Sequence, residues 1–138
     1  MKSDDMSDVN KVVPLGFTKL IVQDLDKVAA FYGAVCGLVE EAQADAEIAG
    51  RPIRELYFKS NPPGTGNFTL TKFLDVEKST TESVILGFIA DDIHRFVESA
   101  AAAGGVVVVA AYPQPEHGVH VAFVKDVEGN LIEVVQLM

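Results

Sequence analysis

The chain repeats its own plan. Residues 15–75 and 83–137 each read as strand, helix and three further strands, and the halves superimpose with a shift of 68 residues. Phe17 then meets Ile85, Asp24 meets Asp92, Leu25 meets Ile93 and Gly37 meets Gly105. Two glycine-led turns correspond as well, Gly66-Asn67-Phe68 and Gly129-Asn130-Leu131. A repeat of this kind restricts topology, because one half alone is too small to bury its own sheet. The order predicts an α+β fold: two tandem βαβββ modules forming a curved mixed sheet around a groove, with the helices outside. Such grooves are where ligands sit.

Local chemistry supports the plan. Leu15 to Val22 reads as a strand, with Phe17, Lys19 and Ile21 on one face and Leu20 and Val22 on the other. Asp24 is placed to cap a helix whose apolar residues Leu25, Val28, Phe31, Tyr32 and Val35 fall at helical spacing, and Gly37 ends it. Leu38 to Ala44 reads as an exposed edge strand, Ile53 to Phe58 and Asn67 to Leu74 as further strands, and Asn61 to Gly66 as a rigid loop. After a polar connector, Asp75 to Glu82, come a strand at Ser83 to Ala90 and a helix capped by Asp91 or Asp92 and stopped by Gly104-Gly105. Val106 to Ala111 is an unbroken apolar strand, Tyr112 to Gly118 a loop and His120 to Lys125 a strand. Residues 1–12 read as a flexible tail and 13–138 as a single domain.

The 138 residues carry a net charge of −9 with no basic stripe, which argues against a nucleic-acid partner. No apolar run reaches membrane-spanning length. The lone Cys36 forms no internal disulfide, and Met1 to Asn10 is polar and acidic, unlike a signal peptide, so the expected location is cytoplasmic. The acidic stretch around Glu40, Glu41 and Asp45 favours a cationic ligand, or simply forms a solvated surface.

The final strand, Leu131 to Val135, is apolar except for Glu133. An acid with such neighbours needs a cation, a metal, a donor or water. Lys19 on the first strand is one candidate partner, with Arg54 and Lys72 as other cations of the first module. An unpaired, desolvated Glu133 could instead act as general acid or base. His117 and His120 are three apart, so on a continuous strand they face opposite ways. A bend at His117 would let both join Glu133 in a two-histidine, one-carboxylate set suited to a divalent metal. His94 reads as an outer helix residue, and Cys36 as a small buried hydrophobe.

Val22-Gln23-Asp24-Leu25-Asp26, Phe31-Tyr32 and Gly37-Leu38 resemble the first module of the vicinal oxygen chelate superfamily. That group includes glyoxalase I, extradiol dioxygenases, fosfomycin-resistance transferases and bleomycin-resistance proteins. Asp91-Asp92-Ile93, Gly104-Gly105 and Asp126 to Glu133 are similar to its second module. The resemblance spans about residues 15–137. It implies metal ligands at four places, which fall here at Phe17, at Thr69 or Leu70, at Ile85 and at Glu133. Only Glu133 is a fit ligand, and a stable catalytic site commonly needs about three. The resemblance therefore implies a metal-free binder of a small organic molecule, possible sequestration of a toxic compound, and a homodimer paired edge to edge. Its groove would be lined by Phe17, Lys19, Thr69, Phe73, Ile85, His120 and Glu133. The alternatives are a glyoxalase-like lyase or dioxygenase-like enzyme holding a divalent metal through Glu133 with His117 or His120, and an interaction module with a filled groove.

Overall fold

The computed structural model describes residues 15, 17–48, 50–59, 67–76 and 84–138. The expected tail, the loop Asn61 to Gly66 and most of the connector Asp75 to Glu82 lie outside the described residues. Each half is a βαβββ module. The first holds β1 (Phe17–Ile21), α1 (Leu25–Cys36), β2 (Glu40–Ile48), β3 (Arg51–Phe58) and β4 (Asn67–Phe73). The second holds β5 (Leu86–Ile89), α2 (Ile93–Ala102), β6 (Val106–Gln114), β7 (Val119–Lys125) and β8 (Leu131–Leu137), with one 3-10 turn at Pro115–His117.

The eight strands divide into two mixed sheets, one per module, ordered β1-β4-β3-β2 and β5-β8-β7-β6. In each, the first strand runs parallel to the last and the other pairs are antiparallel. The corresponding aspartates cap their helices in the same way. Asp24 accepts from the Lys27 N–H of α1 at 3.0 Å, and Asp92 from the Arg95 N–H of α2 at 3.1 Å. Gly37 ends α1 with φ 71°, a left-handed turn that L side chains resist.

One core serves both modules. Val28, Phe31 and Tyr32 of α1 and Ile93, Phe96 and Ala100 of α2 bury against Leu56 and Leu70 of the first sheet and Ala122, Val124, Ile132 and Val134 of the second. The Tyr32 ring meets Phe68 of β4 edge-on at 5.2 Å and stacks on Phe88 of β5 at 6.2 Å, so α1 sits where the sheets meet. Two polar ties cross the same junction. The Tyr32 hydroxyl donates to buried Asp126 at 2.8 Å. The Glu128 carboxylate accepts from the backbone N–H groups of Gln23 and Asp24 at 2.8–3.1 Å. Each sheet thus turns one face into a shared core and leaves the other, open face outside it, where Ile53, Glu55, Thr71 and Val121 are nonetheless buried.

Candidate functional site

Alternation decides what the open face of the first sheet carries. With Leu20, Leu56 and Leu70 turned to the core, Lys19, Glu55, Tyr57, Thr69 and Thr71 are turned away from it. β2 adds Ala42, Ala44 and Ala46, standing opposite Tyr57, Glu55 and Ile53. Of these only Ala42 borders the cleft of about 530 Å³ that this face carries. Aromatic side chains of Phe17, Tyr57, Phe58 and Phe68 wall it, and Lys19, Glu55, Thr69 and Glu41 give it polar groups.

Glu55 is the centre of this face. It is only 3% exposed, and three side chains satisfy it. The Lys19 ammonium lies 2.6 Å away, the Tyr57 hydroxyl donates at 2.7 Å and the Thr71 hydroxyl at 2.9 Å. Burial alone would raise its pKa. Hydrogen bonds from Lys19, Tyr57 and Thr71, with the Lys19 charge, outweigh that and hold the carboxyl below its ordinary value. The same bond pushes the Tyr57 phenol up, so it stays protonated. Lys19 therefore answers Glu55, a strand away within its own module, and not Glu133 as the sequence suggested. The β1–β4–β3 register decides this, because it sets Lys19 beside Thr69 and Tyr57 beside Thr69 in turn.

The expected site residues separate into groups. Phe17, Lys19 and Thr69 line the cleft. Leu70 is fully buried, so Thr69 is the open-face position on β4. Phe73 shares that face but lies under the Arg51 guanidinium, 4.0 Å from its ring centre, outside the cleft lining. Glu133 is half-buried on the open face of the second sheet, between Gly87 of β5 and Phe123 of β7. Ile85, 53% exposed, immediately precedes β5.

His120 stands opposite Gln136 and alternates with Phe123 and Val121, which puts it on the other side of the sheet from Glu133. His117 is exposed in the 3-10 turn. The two histidines and Glu133 therefore form no common site, and no cluster of three metal-binding side chains occurs among the described residues. Phe17, Thr69 and Ile85 offer no imidazole or carboxylate, so the four places that the resemblance marks do not fit a divalent metal. His94 is exposed on α2. Cys36 packs against the core, and burial pushes its thiol up to about 12, leaving no thiolate at neutral pH.

Glu55 escaped the sequence reading, although the signal that singled out Glu133 applied to it equally. Both are lone acids in short, largely apolar strands, and Glu55 shares its face with Ile53 and Tyr57.

The model of the Glyoxalase/Bleomycin resistance protein/Dioxygenase superfamily matches residues 14–134. The chain belongs to this superfamily. Solved structures of the superfamily share its fold. A glyoxalase family protein from Bacillus cereus is 19% identical, with a TM-score of 0.77 over 94% of this chain and 97% of that one. A glyoxalase/bleomycin resistance protein/dioxygenase family enzyme from Burkholderia phytofirmans is also 19% identical, with a TM-score of 0.62 over 91% of this chain and 100% of that one. Glyoxalase I from Zea mays, 19% identical, gives a TM-score of 0.64 over 86% of this chain but only 42% of its own, so the chain spans less than half of the maize protein. No curated protein sequence matches. At these identities the superfamily neighbours establish architecture, and function has to be argued from the cleft itself.

Proposed function

We propose that the protein binds a small organic molecule in the cleft of its first sheet, without a metal, and that it works as a homodimer. The reading is carried by the Lys19–Glu55 pair. This ion pair, anchored by a buried carboxylate, borders an aromatic-walled cleft of about 530 Å³, a size that suits a small ligand. Superfamily membership supports small-molecule binding, and sequestration of a toxic compound is the role we favour. The net charge of −9 and a single cysteine suit a cytoplasmic protein, and no helix among the described residues is long and apolar enough to cross a membrane.

The edges of the sheets support the dimer. β1 and β5 are outer strands, and Phe17, Ile85 and Ile89 beside them are 60, 53 and 76% exposed. A second copy laying its β5 edge along β1 would cover these side chains and bring its Glu133 face towards the cleft.

Two measurements test the reading. A thermal-shift screen of small organic molecules should return ligands, with stabilisation of about 2.7 kcal/mol at a hundredfold excess over Kd. A fruitless screen favours a filled, non-binding groove. Elemental analysis of protein purified without chelator should find no stoichiometric metal. About one bound Fe, Mn, Ni or Zn per chain, lost on Glu133→Gln, would establish the enzyme alternative instead.

A further inference from the structure

We propose that Glu41 makes this cleft select flat aromatic cations, an inference that rests on the binding reading above. The sequence of β2 alternates small and polar residues, and the fold uses that alternation strictly from Ala42 onward. Ala42, Ala44 and Ala46 take the open face, while Gln43 and Asp45 take the other. On that other face two of the polar groups are engaged. Asp45 holds Arg54 at 2.9 Å, and Gln43 bonds Asp26 at 3.0 Å and Glu40 at 3.3 Å.

Strict alternation would send Glu41 to that engaged face too. A bulge prevents it. Glu40 stands opposite Phe58 and Ala42 opposite Tyr57, so Glu41 is an extra residue with no partner across the ladder. A bulge of this kind re-aims a side chain. Here Glu41 becomes part of the cleft lining, and among the described residues it has no hydrogen bond or ion pair.

The charges then sum simply. Lys19 and Glu55 cancel across 2.6 Å, which leaves one uncompensated negative charge among the described residues that line the cleft, that of Glu41. The walls specify the rest of the ligand. Phe58 and Phe68 lie nearly parallel, 11° apart with centroids at 6.0 Å, and the Lys19 ammonium already sits 5.8 Å from the Phe17 ring centre. Rings of this kind attract both a flat apolar body and a positive charge. A planar ring system carrying a single ammonium or pyridinium-type charge meets every one of these features. A carboxylate or phosphate ligand would face Glu41 directly.

The test uses two probes of one shape, N-methylquinolinium and 1-methylnaphthalene, titrated against the full chain at low salt. The cation should bind about fivefold more tightly than its neutral counterpart, the size expected of one partly solvated charge pair. Glu41→Gln should cut that preference to the smaller one that the rings alone provide, with an unchanged circular-dichroism spectrum and thermal midpoint reporting an intact fold. Equal binding of the two probes by the native chain, or a preference undiminished by Glu41→Gln, overturns this inference and leaves the binding reading standing. Binding of neither probe overturns this inference, and a fruitless thermal-shift screen beside it overturns the binding reading as well.

Discussion

The Lys19 ammonium and the Glu55 carboxylate meet at 2.6 Å on the open face of the first sheet, with the lysine side chain 31% exposed and the glutamate 4%. The asymmetry has an energetic meaning. Glu55 cannot turn to water, whereas Lys19 can, so the pair exists chiefly to satisfy the acid. Lys19→Met should therefore destabilise the fold by about 2–3 kcal/mol, below the ~3–5 kcal/mol of a wholly buried pair broken on one side. Adding Glu55→Gln to that variant should restore part of the loss, because no buried charge is left alone. A urea-denaturation double-mutant cycle measures the coupling, and strict additivity would show that the two side chains do not interact.

Acid titration probes the same carboxylate. Its folded pKa is depressed, so its contribution is complete above the unfolded value of about 4.3 and is lost as pH falls through the folded value. The stability difference between the native chain and Glu55→Gln should be constant above about pH 5 and shrink below about pH 4. Asp75, also depressed by its bond to Arg51, is present in both proteins and cancels. A difference that is flat down to pH 3 would mean that Glu55 gains nothing from Lys19, Tyr57 and Thr71.

What could be read in advance follows from how locally each feature is determined. The caps at Asp24 and Asp92 and the left-handed turn at Gly37 depend on neighbours a few residues away, and the structure has them in place. β6 runs on through Tyr112, Pro113 and Gln114, where two prolines suggested a loop. As an outer strand it tolerates Pro113, which lacks an N–H. The partner of Lys19 was not legible, because it depends on the register of three strands from distant segments. His120 was illegible for another reason. Val119, Val121 and Phe123 alternate with Ala122 and Val124, so both faces of β7 are apolar and polarity does not say which one the histidine shares.

Tyr32 ties the two modules and does not itself line the cleft. Its hydroxyl donates to Asp126, which also accepts from the Glu128 N–H and from the backbone and side chain of Asn130. Tyr32→Phe leaves a buried carboxylate short of one donor, at a cost of about 1–3 kcal/mol. Ligand affinity at the cleft should not change, since the substitution keeps the ring that packs on Phe68 and removes only the hydroxyl, which is bonded to Asp126. A matching drop in affinity would show that the cleft depends on how the modules sit together.

Two glycines should respond to alanine for different reasons. At Gly37 a new methyl meets nothing within 4 Å but must adopt φ 71°, which costs about 1 kcal/mol. At Gly105 a methyl would lie 2.5 Å from the Lys125 carbonyl oxygen, 2.9 Å from that of Ala100 and 2.9 Å from Phe31 Cε1. Two of those three contacts are backbone and cannot step aside, so the cost should reach the upper end of about 1–3 kcal/mol. Chemical denaturation of both variants should rank Gly105→Ala as the more damaging. The reverse order would mean that β7 and the two helices can draw back from Gly105 at little cost.

Ile89 offers a direct test of the dimer. It lies on β5, an outer strand, opposite Val135, and three-quarters of it is exposed. It does not line the cleft, so altering it leaves the ligand's contacts within one chain intact. Ile89→Lys places a charge where a second copy's strand would pack, a common way for natural sheets to block edge pairing. Sedimentation should give the native protein twice the 14.8 kDa chain mass and the variant the chain mass alone. The native protein's unfolding midpoint should rise with protein concentration, and the variant's should not. If the cleft is completed by the partner's Glu133 face, the variant should also bind cleft ligands more weakly, although every cleft residue of its own chain is unchanged. A native protein that sediments as one chain would remove the dimer, and with it any role for Glu133 at the cleft.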